Sequence, residues 1–522
     1  MRYKLLYIIT ASLYTIQLVA QPKTLATNKY EIADGDEFFA IGNFVVALDI
    51  YKKAYETLPN NRELNYKLAL CYLNTNQSRV EAVKHLEYVV KDEKAFTEAW
   101  YHLGIAYSLD YKLDEAIKAL QKFQKFEPKK SQVAERKIEQ CNNAKELMKH
   151  PVNVSFTHLG KEINSPYPDY YPWITKDENL LVFTSRRKGN IGGVIEGDGY
   201  YPSDIYMSKA TNGKWEKTKN IGPSINTAMD EQAVGLKADG SEIFIYIDHY
   251  EVYGNIFSSK KKGNAFLKMQ PFNERINKKM EYSGSVSEDG SILFFVRKES
   301  EKETENTDIF MAKKLPSGEW AEPQKLGNEI NTAYNEEFPY LATDGKTLYF
   351  SSEGHNSMGG FDLFKSEWNE NDNSWSKAVN LGYPINTTDD DKSISISADN
   401  KTGYISASRS SGFGDLDIYR LKFKKAGEKL IIYKGAISVS DSLTKKQDII
   451  ASITVTEKTT HEEYSFTPHS QTGAFVMLLP EGTYDILLTS KNYKEIKEKL
   501  EVNDIGNSAN EHLKNYILIK NK

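Results

Sequence analysis

Chemistry in this chain of 522 residues would have to come from a few groups of side chains, and spacing decides what each can do. Asp389-Asp390-Asp391, together with Asp204, Asp308, Asp362 and Asp417, supply the carboxylate oxygens that a calcium ion takes. Each of the last four, however, opens a short run of the form Asp-Ile/Leu-Tyr/Phe. A carboxylate accepting hydrogen bonds from backbone at a strand entrance explains that recurrence, and the acidic run reads as a solvated loop. Gly192-Gly193 and Gly359-Gly360 stand among strand-forming residues with no helix after them, so they punctuate loops and do not cradle phosphate. A Gly-x-Ser-x-Gly nucleophile elbow does not occur. The 9 His are scattered without His-Glu-x-x-His, and the 2 Cys do not form Cys-x-x-Cys, so zinc has no local ligand set. The expectation is a chain that is not an enzyme, with no cofactor and no metal.

The aspartates belong to a repeat, and the repeat decides the fold. Turn pairs at Asp177-Glu178, Asp239-Gly240, Asp289-Gly290, Asp344-Gly345 and Asp399-Asn400 each join two runs of alternating side chains, which is a hairpin signal. A third run follows at positions 204, 255, 308, 362 and 417, and a fourth precedes each Ile-Asn at 163, 225, 276, 330 and 385. A period of roughly 50 residues with several short strands is the mark of a β-propeller. Five blades are expected, with six as the alternative. The last repeat stops at its third strand, so the run at 152–159 is expected to complete it and close the ring, leaving no free edge between first and last blades.

The segment before the propeller repeats at helical spacing. Trp100, Leu103-Gly104, Tyr107, Ala116, Phe123 and Pro128 match the tetratricopeptide pattern, and two weaker copies precede them with Ala69, Tyr72 and Ala82, and with Gly35, Ala47, Tyr51 and Pro59. Small residues let paired helices approach, and the prolines stop each second helix. On the first helices of these repeats Phe39, Tyr66, Leu70, Leu73, Tyr101 and Ile105 are candidates to line a partner-binding groove, with packing onto a neighbouring repeat or the propeller as the alternative. Cys71 and Cys141 read as small buried residues rather than a disulfide pair. Beyond the charged linker at 424–429, alternating runs and the turn Pro480-Glu481-Gly482-Thr483 read as a small antiparallel sandwich.

With 67 basic and 72 acidic residues the net charge is −5, which offers no footprint for nucleic acid. Residues 1–20 carry a basic start, an apolar core and a small terminal residue, so an export signal cleaved after Ala20 is expected. The fold expected is multidomain α + β: signal peptide 1–20, α-helical tetratricopeptide solenoid 28–150, β-propeller 151–425 and small β-sandwich 430–522.

The unit from Pro339 through Asp344-Gly345, Leu348-Tyr349-Phe350-Ser351-Ser352, Gly359-Gly360 and Asp362-Leu363-Phe364 resembles TolB-type, WD-repeat-like propeller units. Lys434-Gly435-Ala436-Ile437, Thr472-Gly473-Ala474-Phe475 and Leu479-Pro480-Glu481-Gly482-Thr483-Tyr484 are similar to the carboxypeptidase regulatory-like, transthyretin-like sandwich. The three modules in this order resemble the PorE-like envelope proteins associated with type IX secretion. Members of that family usually carry an OmpA-like domain, and many are lipoproteins; here the chain is expected to lack the first, and Gln21 stands where a lipid-bearing Cys would be needed. The resemblance implies a periplasmic, outer-membrane-associated scaffold that binds protein partners in an envelope secretion or assembly complex. A glycan- or peptidoglycan-binding sensor using the propeller is the alternative.

Overall fold

The computed structural model describes residues 25–75, 79–92, 96–248, 254–300, 306–409, 412–423, 431–440, 451–466, 468, 473–503 and 511–521. The expected leader at 1–20 and the linker at 424–429 lie outside the described residues. Among the described residues seven α-helices come first: α1 Leu25–Ala40, α2 Phe44–Thr57, α3 Arg62–Leu73, α4 Glu81–Val89, α5 Glu98–Leu109, α6 Leu113–Phe126 and α7 Ser131–Leu147. Asn43 and Asn61 set the starts of α2 and α3, their side chains accepting from the N–H of Val46 at 3.1 Å and of Leu64 at 3.0 Å. The helices pair as three hairpins with α7 as the cap, around Ala47, Ala54, Leu68, Ala69, Leu86, Ala99 and Leu103, all buried. Close approach demands the small residues: a Cβ on Gly104 would lie 2.5 Å from Leu120 Cγ, and one on Gly35 2.5 Å from the Tyr51 ring. Cys71 and Cys141 are free and buried in this core.

Five antiparallel sheets follow. Their first strands are Asp169–Ile174, Asp230–Leu236, Met280–Val286, Glu336–Leu341 and Ile394–Ile396, and their third strands begin at Asp204, Ile256, Thr307, Asp362 and Asp417. In every blade the second residue of the turn pair takes the left-handed conformation, from φ 55° at Glu178 to 76° at Gly290. That explains Gly or Asn at four of the five positions. Glu178 is the exception, and its carboxylate accepts the Tyr404 hydroxyl at 2.7 Å.

The repeated Asn ties each blade's outer end to its third strand. Its amide accepts from and donates to one residue of that strand, Ile205 for Asn226, Ile256 for Asn277, Ile309 for Asn331 and Leu363 for Asn386, at 2.8–3.0 Å. Asn164 does the same to Ile418, in the last blade. A buried acid four or five residues on holds the loop after the Asn: Asp169, Glu231, Glu281, Glu336 and Asp391 each accept a backbone N–H from it.

The ring closes as the repeat count requires. The closing strand, Val154–His158, pairs antiparallel with Asp417–Phe423 from Val154↔Phe423 to His158↔Tyr419. Its other edge is occupied too: Phe156 pairs with Glu463 of a bridging strand, Glu463–Phe466, so the fifth blade and one sandwich sheet form a single eight-stranded sheet. The sandwich is not wholly antiparallel. Glu511–Leu513 and Tyr516–Leu518 run parallel to Ile431–Val439. The chain between these two pieces passes so close over Gly435 that a Cβ there would lie 1.6 Å from Lys514 O.

Candidate interaction site

The inner helices α1, α3 and α5 carry the six groove candidates, and all six are half-buried. They do not form one continuous lining. Tyr66 and Tyr101 share a row through His102, whose ring lies 5.8 Å from one and 5.7 Å from the other, and the Tyr66 hydroxyl lies 3.1 Å from His102 Nδ1. Burial pushes the Tyr66 phenol up to about 12 and holds the His102 imidazole below its ordinary range, so the pair is neutral at physiological pH. Tyr66 also rests on Phe96 at 5.3 Å, and Tyr101 on Phe123 at 5.2 Å. Leu73 packs against the core that runs through the helical hairpins, and Leu70 sits on the same helix, α3. Phe39 stays with the first hairpin, edge-on to Phe44 at 5.3 Å. Ile105 faces the propeller, where it shares a small cavity with Met358 and Gly359. His102 and Phe96 were not singled out from sequence; the signal for His102 is its position next to Tyr101 on α5, where the repeat places it opposite Tyr66.

The solenoid is fixed to the propeller through α7 and the turns between helices. Arg136 donates to the carbonyls of Glu353 and Gly354 (3.0 Å) and to Ser357 Oγ (2.7 Å), with its guanidinium 4.5 Å from the Tyr334 ring. Asn143 donates to Ser357 O at 3.0 Å, and Met358 is buried among Leu113, Ala116 and Leu120. Arg79 pairs with Asp389. This contact corrects the reading of the acidic run as a solvated loop. Asp391 is buried and accepts Thr387 N at 2.6 Å, Asp390 accepts Phe361 N at 3.1 Å, and of the three only Asp390 stays exposed. Gly359-Gly360 does more than punctuate: a Cβ on Gly359 would lie 2.1 Å from Asp389 O, and one on Gly360 1.8 Å from Asp390 Oδ1. Two loops meet there at a distance only glycine permits.

The repeated aspartates sit where strand entrances need acceptors. Asp362 accepts from Met358 N, Gly359 N and Asn380 Nδ2, Asp204 from Ile191 N and Asn220 Nδ2, and Asp417 from Phe413 N. Asp308 differs in taking the Lys325 ammonium at 2.6 Å. Burial pushes Asp362 up to about 7 and Asp204 to about 6. Among the described residues no group of three His, Cys, Asp or Glu is arranged to hold a metal ion.

The axis of the ring is filled on one level by aromatic side chains. Tyr171 and Phe338, each at a β-bulge with φ near 50°, meet at 4.4 Å from non-adjacent blades. Beneath them Trp173 donates to Ala233 O and Tyr340 to Ile396 O, both at 2.9 Å, and so link four blades. A residue before proline normally avoids this backbone region, so the two bulges are strained. The sequence signal is the repeated aromatic-Pro-aromatic triplet at 171–173 and 338–340. A larger cavity, about 640 Å³, lies where solenoid, propeller and sandwich meet, lined in part by Tyr111, Tyr383, Arg409, Ser465, Thr489 and Tyr493.

No protein-family model matches the chain, and no curated protein matches it. Solved structures resemble its parts. The first tetratricopeptide domain of Spaghetti (RPAP3), solved with an HSP90 peptide, is 22% identical over 23% of this chain and 93% of its own, with a TM-score of 0.21. The periplasmic gluconolactonase of Pseudomonas aeruginosa is 14% identical over 62% of this chain and 96% of its own, at 0.27. An α-L-arabinofuranosidase of Lactobacillus brevis is 13% identical over 50% of this chain and 92% of its own, at 0.31.

Proposed function

We propose that this chain is a non-catalytic scaffold of the periplasm, associated with the outer membrane, that binds protein partners as an accessory of type IX secretion or a related envelope assembly. The observation that carries the reading is the Tyr66–His102–Tyr101 row: half-buried aromatic groups on inner helices of a solenoid whose far end is clamped to the propeller. A rigid base and a few amphipathic anchors are what a binding groove needs. Changing Tyr66 and Tyr101 together to Ala is expected to weaken capture of envelope proteins by about tenfold, equivalent to roughly 1.4 kcal/mol. Affinity and thermal unfolding are measured on the same samples. Because both rings also touch Phe96 and Phe123, a lowered melting temperature with unaltered affinity of the folded fraction would falsify the groove.

A second reading, glycan or peptidoglycan binding, draws on the cavity between the three domains rather than on the propeller axis. Its hydroxyl-rich wall and tyrosines suit sugar rings and diols. Retention on insoluble peptidoglycan that survives Tyr66 and Tyr101 substitution would favour it.

A further inference from the structure

Charge is spread unevenly over this chain, whose net charge is −5. Residues 209–220 of the first blade carry Lys209, Lys214, Lys217 and Lys219 against Glu216 alone, a local balance of +3. Residues 260–268 of the second blade carry Lys260, Lys261, Lys262 and Lys268 against no acid, a balance of +4. Both segments are built around outer hairpins: Thr211 pairs with Lys214 across Asn212-Gly213, and Lys262 with Ala265 across Gly263-Asn264. The hairpins stand side by side, Lys209 Nζ donating to Asn264 Oδ1 at 3.1 Å. A Cβ on Gly213 or Gly263 would meet nothing within 4 Å, so both tips stand clear of their surroundings. Neighbouring lysines find acids, Lys176 with Glu288 and Lys237 with Asp239, but among the described residues none of these eight pairs with a carboxylate. Glu216 accepts Thr211 Oγ1 and Glu242, opposite Lys260 in the sheet, accepts Ser258 Oγ, each at 2.9 Å. All eight ammonium-bearing side chains except that of Lys261 are exposed.

A positive surface selects an anionic partner, and the side chains within it decide which kind. Protein interfaces are depleted in Lys and anchored by aromatic groups and Arg, and neither segment contains an Arg. A sugar site would offer an open ring, but Trp215 lies edge-on to Tyr404 at 6.2 Å and Phe266 is buried. Point charges on flexible stems instead suit a surface whose anions have no fixed geometry. Leu267, directly before Lys268, is 48% exposed and bonded through its N–H to Lys260 O at 2.9 Å. An apolar side chain held among lysines is the composition of a lipid interface, where it enters the acyl boundary and the ammonium groups reach the headgroups.

We propose that these two hairpins dock the propeller on a bilayer that carries anionic headgroups, with Leu267 dipping into it. The assignment rests on the reading of the chain as outer-membrane-associated and supplies the contact that holds it there. The test uses the full chain and co-sedimentation with phosphatidylcholine vesicles, with and without about 30% phosphatidylglycerol. Partition is expected to rise steeply with phosphatidylglycerol and to fall as salt is raised. Lys214→Gln, Lys217→Gln, Lys260→Gln and Lys262→Gln combined should lower it about a hundredfold, and Leu267→Ser about fivefold. Thermal unfolding stays unchanged in both, because these side chains are exposed and unpaired with acids. A control with the same loss of charge, combining Lys118→Gln, Lys129→Gln, Lys494→Gln and Lys499→Gln, should bind as the native chain does. Partition that ignores phosphatidylglycerol, or an equal loss in the two four-lysine variants, overturns the proposal. So does retention on polygalacturonate in place of vesicles, which would assign the hairpins to an acidic glycan. Cell fractionation of the native chain judges the outer-membrane reading by itself, so failure of that reading and failure of the lipid contact are told apart.

Discussion

The propeller meets its two neighbours through junctions of opposite character. Against the solenoid it presents polar loops, gripped by Arg136, Asn143 and Arg79 and pressed to glycine distance around Met358. Against the sandwich it offers a strand, but only one residue pair completes the sheet, supported by Lys422 reaching Glu462 at 2.8 Å. Side-chain forks that satisfy carbonyl groups in a half-buried interface fix orientation as well as distance. A single bridge fixes position and leaves angle to the surroundings. The solenoid junction is therefore expected to be the stiffer of the two, with the sandwich keeping more angular freedom against the propeller.

That contrast is broken most directly at Arg136. Its loss leaves the carbonyls of Glu353 and Gly354 without that donor and removes the stacking on Tyr334, at a cost of about 2–4 kcal/mol. Arg136→Ala is expected to split one calorimetric transition into two, with the solenoid melting ahead of the propeller, whereas Arg136→Lys, keeping charge but not the fork, falls between. A single unshifted transition in the Ala variant would mean that the junction does not couple the two domains.

A smaller effect comes from beneath the same loop. Glu336 accepts Ser352 Oγ at 2.6 Å, and Ser352 Oγ in turn accepts Gly354 N at 2.8 Å, so the carboxyl supports the carbonyl that Arg136 holds. Burial pushes this carboxyl up to about 7. Since the folded state holds its proton more tightly than the unfolded chain does, the contribution is full below the ordinary glutamate range and is drawn off as pH rises toward 7. The shift is worth about 3 kcal/mol at most. Glu336→Gln, which cannot ionise, should remove that slope, so the stability difference between variant and wild type changes in the variant's favour between pH 4.5 and 7.5. Parallel pH profiles for the two proteins would place the ionisation elsewhere.

The two junctions also differ in how far sequence reveals them. The repeat period, the turn pairs, the Ile-Asn anchors and the closing strand are local patterns, and each is met by a local bond: left-handed backbone at Gly345, the Asn386 clasp on Leu363, Val154 against Phe423. The solenoid's small residues are legible for the same reason. Arg136 and Glu353 are 217 positions apart, and Arg79 and Asp389 are 310. No periodicity links residues so distant, which is why Asp389-Asp390-Asp391 reads as a solvated run until the solenoid is placed upon it. Of the groove candidates, Tyr66 and Tyr101 come together because both sit at equivalent repeat positions, while Ile105 is diverted by the propeller, a neighbour that repeat register does not contain.

The weakest link tests the freedom assigned to the sandwich. Among the described residues the sandwich reaches the solenoid through the ion pair of Lys491 with Glu81, and Lys491 is 61% exposed at the side chain while Glu81 keeps a second cation, Lys84, at 2.6 Å. Removing an exposed lysine from a carboxylate that retains another partner costs less than about 1 kcal/mol, since solvent screens the pair and the long side chain regains its freedom. Lys491→Ala is thus expected to leave the melting temperature nearly unchanged. Spin labels at the exposed positions Asn492 and Asn371 should nevertheless report a broader distance distribution in the variant, because the ion pair limits the sandwich's angle more than it holds the domain in place. The same labels in Arg136→Ala should give an unaltered distribution, because they report the distance between sandwich and propeller and neither is attached to the solenoid. A distribution that widens with Arg136→Ala and not with Lys491→Ala would reverse the roles assigned to the two junctions.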